Sequence, residues 1–112
     1  DITEEIADEA EEHQVFLTGD AVEGPATEAN ANALVLHAYS DQDANSNPIG
    51  LENMLEAVVL GSGELIVTLR HLPEEDGQAS KLSDLAEVLA MEGFAGIGGD
   101  TDVQVAFPVV VE

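Results

Sequence analysis

The chain has 112 residues, 24 of them acidic and only two basic, Arg70 and Lys81, for a formal net charge of −22. That balance excludes nucleic-acid binding, which needs Lys and Arg on phosphates, and it fits a setting where salt or divalent cations screen self-repulsion. Cysteine is absent and no apolar run approaches the ~20 residues of a membrane-spanning helix, so disulfides, thiol chemistry and a transmembrane segment are excluded.

Hydrophobic content of 45% argues against a disordered acidic tail. An aromatic share of 4% leaves a core of Val, Leu, Ile and Ala. The length suits one domain, 1–112, able to bury about two-thirds of its unfolded surface. The chain starts Asp1-Ile2-Thr3-Glu4, with neither Met nor a signal peptide, and is expected to be a processed or truncated product.

Seven of the first twelve residues are acidic, and Ile2, Ile6 and Ala10 recur every fourth position. This predicts an acidic helix over 2–13 with a thin apolar seam. A short strand is expected near 14–18, then a loop rich in Gly, Ala, Asn, Thr and Pro through Asn32. Residues 33–39 read as a central strand, with Leu34 and Leu36 on one face and Val35, His37 and Tyr39 on the other. Turn chemistry fills 40–50.

The stretch 51–60 is ambiguous: Leu51, Met54, Leu55 and Val58 fit a helical face, while 57–60 suits a strand. Gly61 and Gly63 are expected to break it. A strand follows near 64–72, with Leu65, Val67 and Leu69 opposed to Ile66, Thr68 and Arg70. Leu82, Leu85, Ala86 and Leu89 predict a helix near 81–91, with Ser80 or Ser83 as N-cap and Gly93 as stop. The cleanest alternation is the strand near 102–111, where Val103, Val105, Phe107, Val109 and Val111 share a face expected to be buried. Pro108 cannot donate to a ladder, which places part of this strand at a sheet edge.

Asp41, Asp43, Asn45 and Glu52 form the leading candidate site. Oxygen ligands at alternate positions, closed by a Glu in the twelfth place, are the spacing of a calcium loop. Ser46 stands where such a loop has glycine and a strand rather than a helix precedes it, so a plain Asp/Asn/Pro/Gly turn accounts for the same residues. Gly98-Gly99 lacks the Lys and the helix of a phosphate cradle and reads as a tight turn. His13, His37 and His71 form no close-spaced pair, so their spacing supports no zinc site, and His37 reads as a packed core residue. No Gly-x-Ser-x-Gly elbow is present.

Four segments carry a family resemblance: TEEIADEAEEHQVF at 3–16, AYSDQDANSNPIGL at 38–51, LIVTLRHLP at 65–73 and GGDTDVQVAFPV at 98–109. Together and in this order they resemble a family of small secreted lipoproteins of the Bacteroidota. The resemblance covers about half of the chain. It implies an immunoglobulin-like antiparallel β-sandwich at the cell surface, with a lipidated segment and further strands ahead of the acidic helix. It brings no catalytic residues. The helix-like pattern at 51–61 and the helix within 78–96 depart from the family's strand-rich pattern.

The resulting expectation is a mainly β domain with two peripheral α-helices, serving as a non-enzymatic extracellular or cell-surface binding or accessory domain. Only four strands are evident, too few for a sandwich of about seven. The missing strand is expected from another protein chain or from a cleaved N-terminal segment, and any lipid anchor lies outside this chain. Alternatives are a salt-adapted acidic subunit or enzyme of a halophile, and a calcium-dependent adhesion or structural module.

Overall fold

A computed structural model describes Glu4, Ile6 and residues 8–112. The fold is mainly β. Its strands are β1 (His13–Thr18), β2 (Val22–Glu23), β3 (Val35–Tyr39), β4 (Asn53–Ala57), β5 (Gly61–His71) and β6 (Asp100–Val111). They form two three-stranded sheets, ordered β1-β5-β6 and β2-β3-β4. All pairings are antiparallel except β2 with β3, which is parallel. One α-helix is described, α1 (Leu85–Glu92), together with 3-10 turns at Ala10–Glu12 and Phe94–Gly96.

The first sheet is covered on both faces at its centre. Val15, Leu17, Leu65 and Leu69 share one face by register, and they pack with Val22, Leu34, Val35 and Ile49 from around the second sheet. Phe16 lies on the opposite face and is fully buried against Leu72, Leu85, Ala86 and Leu89. Phe94 meets its ring edge-on at 6.1 Å. Two apolar faces on one short strand explain why β1 reads as nearly continuously hydrophobic.

Several expectations are corrected. Strand β1 begins at His13 directly after a 3-10 turn, so the acidic helix, helical at Glu4, Ile6 and Asp8, does not extend to residue 13, and among the described residues only one of the two expected peripheral helices is bounded. Ile6 and Ala10 of its seam are buried, as the periodicity requires; Ile2 lies outside the described residues. The ambiguous 51–60 stretch resolves as β4, and Gly61–Gly63 opens β5 instead of breaking the chain. Gly61 and Gly63 sit close beneath Leu34 and Ala21, so an extended glycine backbone brings β5 against the neighbouring segment. The helix is shorter than expected: Asp84, not Ser80 or Ser83, holds the N-cap position and makes no side-chain capping bond, Leu82 is left half-exposed, and the helix stops at Gly93, whose φ of 73° lies in the left-handed region.

The largest correction concerns β6. It is a sheet edge, consistent with Pro108, but Val103, Val105 and Phe107 are 41%, 42% and 48% exposed. Register places them opposite Leu69, Val67 and Leu65, so they extend the core face beyond the area that anything covers. Only Val109 and Val111, near the far end, pack against the core.

Candidate functional site

Strands β4 and β6 are outer strands of the two sheets, and their residues are mostly exposed. Strands β1 and β2, the outer strands at the other ends of the two sheets, lie in contact. On β4, Leu55 is in register with the buried His37 and so faces the same way, yet it is 51% exposed. Val58, Val59 and Leu60 continue this apolar rim, at 46%, 41% and 73% exposed. Both edge strands therefore turn core-type residues toward water. Large exposed apolar patches on soluble proteins mark interaction surfaces. An edge strand also offers a row of backbone donors and acceptors to an incoming strand.

The calcium-like loop is built differently from a metal cage. Asp41 accepts backbone N–H bonds from Gly50 (2.8 Å), Leu51 (2.8 Å) and Glu52 (3.0 Å) through both carboxylate oxygens. Asp43 Oδ1 accepts the amides of Asn45 (2.8 Å) and Asn47 (3.0 Å). Its Oδ2 lies 2.8 Å from Lys81 Nζ, with both side chains essentially out of water. Ser46 adopts φ 66°, the left-handed conformation that a glycine would have taken at that point of the turn. Asn45 and Glu52 are exposed at the rim. The Asp41 and Asp43 carboxylates thus organise the loop backbone, and Asp43 has Lys81 as its counter-ion.

Lys81 is the residue that sequence reasoning overlooked. It is the chain's only lysine, and its ammonium also donates to the Ala10 carbonyl at 2.9 Å. One cation thus ties the 41–52 loop to the N-terminal turn and to the segment ahead of α1. Burial is the strongest influence on both partners. It pushes the Lys81 ammonium below its ordinary value. For Asp43 it opposes ionisation, but the Lys81 bond and the two loop amides outweigh it and hold the carboxyl below the usual range. A lysine adjoining a helix signal gives no sign in sequence that it is internal.

Beside this pair, Glu11, Glu12, Glu74 and Asn45 help to line a cleft of ≈ 170 Å³. That is smaller than the few hundred Å³ typical of small-molecule sites. Tyr39 is the other perturbed group. Its hydroxyl donates to the Val15 carbonyl at 2.6 Å and accepts from Gln14 Nε2 at 3.3 Å. Burial raises its pKa to about 12.

The histidines separate into two environments. His37 is buried, as expected, and bonds Asn53 Oδ1 at 2.8 Å. His13 and His71, distant in sequence, are cross-strand partners with stacked rings 4.8 Å apart.

No known family model matches the chain, and comparison with curated proteins and with solved structures returns no match.

Proposed function

We propose that this chain is a non-enzymatic binding domain whose exposed outer strands β4 and β6 take up an extended segment of a partner protein, in an extracellular or cell-surface assembly. The observation that carries this reading is the stripe of Val103, Val105 and Phe107, half-exposed along an edge strand of twelve residues. The described residues contribute six strands, and a strand added to β6 would supply the seventh of an immunoglobulin-like sandwich. Charge selects the partner. A second copy would bring another −22 charges, whereas a segment alternating apolar residues with Lys or Arg matches both the stripe and the acidic surface.

A synthetic peptide alternating Val and Lys tests the reading, with a Gly/Lys peptide of equal length and charge as control. Titration followed by backbone amide NMR should show the Val/Lys peptide shifting β6 and β4 resonances. Phe107→Glu should abolish those shifts. Equal binding of the Gly/Lys peptide would show attraction to charge alone and overturn the proposal. Concentration-dependent dimerisation through β6 in sedimentation would assign the surface to a second copy instead.

A further inference from the structure

Beyond strand binding, the stacked histidines form a cluster of metal-ligating type. One ligand atom from each of Glu9, His13 and His71 lies within 4.8 Å of the other two. Asp102 adds a fourth group, with Oδ2 3.7 Å from His13 Nε2. These residues come from four places in the chain: the turn before β1, then β1, β5 and β6. The sheet brings them together because His13 pairs with His71 and because β6 carries a bulge. Val103 opposes Leu69 and Thr101 opposes Arg70, which leaves Asp102 as the extra residue. A bulge redirects its side chain, here toward His13 across β5.

The remaining geometry fits a held ligand set. His13 Nδ1 lies 3.0 Å from the Glu9 carbonyl, which can only accept, so this nitrogen donates there and Nε2, facing Asp102, is the ring atom placed to ligate. A backbone carbonyl fixing one ring nitrogen is the usual support of a ligating histidine. His13 is buried, while Glu9 is exposed and the Asp102 side chain is 43% exposed, so an ion has a way in. Gly99, at φ 77°, brings the chain so close to the His71 carbonyl that any Cβ would strike it, which fixes where β6 begins.

We propose that Glu9, His13, His71 and Asp102 bind one divalent cation of the zinc class. Two imidazoles select such an ion over calcium and magnesium, which take oxygen ligands. Donors around tetrahedral zinc at ~2.0–2.2 Å stand ~3.4 Å apart and imidazole lone pairs lie in the ring plane, so the exposed carboxylates must close in by about an ångström and the His71 ring must turn out of its stack with His13.

The test is calorimetric titration of the chain with zinc in excess calcium, which saturates diffuse binding by surface carboxylates, alongside cobalt(II) absorption as a report on coordination. Wild type should show one zinc site and a tetrahedral cobalt spectrum. His71→Gln, at a partly exposed position, should lower zinc affinity at least tenfold and abolish the cobalt bands while its thermal unfolding without metal stays unchanged. Glu87→Gln, at an exposed helix position outside the cluster, should retain both signals. Zinc binding equal in wild type and His71→Gln, or abolished by calcium, would overturn the proposal.

Discussion

The centre of the β1/β5 pair and the β6 edge carry the same alternating apolar pattern and meet opposite fates. Leu65 and Leu69 are 8% and 7% exposed; Phe107 and Val103, their register partners, are 48% and 41%. The sheet continues one face across all three strands, but the second sheet covers only part of it. Alternation therefore reports that a strand has two unlike faces, and coverage depends on where the strand sits in the sheet.

That contrast can be broken by truncation. Phe16→Ala should destabilise by about 3–5 kcal/mol in denaturant unfolding, because a fully buried ring leaves a cavity between β1 and α1. Phe107→Ala should cost less than half as much, since water already meets that side chain. Equal losses would mean that the β6 face is covered in solution. With a bound partner segment, the Phe107→Ala cost should grow and that of Phe16→Ala should not.

The two cations give a second contrast. Lys81→Met leaves the Asp43 carboxylate buried without its counter-ion and should cost roughly 3–5 kcal/mol. Arg70 bonds Gly98 and Thr101 at an exposed site and stacks over Phe94, so Arg70→Met should cost about 1 kcal/mol. Because the Asp43 carboxyl is held below its ordinary range, its contribution to stability is full above about pH 3.9 and is lost as the pH falls further. Lys81→Met should remove that acid-range slope, and an unchanged slope would place the pair elsewhere than in the core.

A separate effect is alkaline. Tyr39 titrates near 12 when folded and about 10 when unfolded, so its stabilisation is present below pH 10 and declines as the pH rises toward 12. Lys81, with a lowered value, works in the opposite direction. Comparing unfolding of wild type and Tyr39→Phe from pH 9 to 11.5 isolates the tyrosine. The decline should be present only in wild type, and parallel curves would show that the hydroxyl is hydrated.

Local pattern made much of this protein legible. Short apolar runs located β1 and β3, and alternation β5 and β6, to within about three residues, and the Leu85, Ala86, Leu89 stripe with Gly93 located α1. Those features depend on neighbours within a turn or a pleat, where side-chain direction follows directly from backbone period. The loop at 41–52 was also visible as a turn, since Asp and Asn satisfy amides a few residues away.

Partner number was not legible. Val103, Val105 and Phe107 read as buried because a period of two distinguishes faces without counting what lies across them. The parallel pairing of β2 with β3, the meeting of His13 with His71 and the burial of Lys81 against Asp43 were equally silent. Each joins residues far apart in the chain, and a register between distant strands is selected by burial summed over the whole sheet. Composition and local period determined the strands, the helix and the charge; the tertiary fold alone decided which apolar face stays open and which polar groups meet inside.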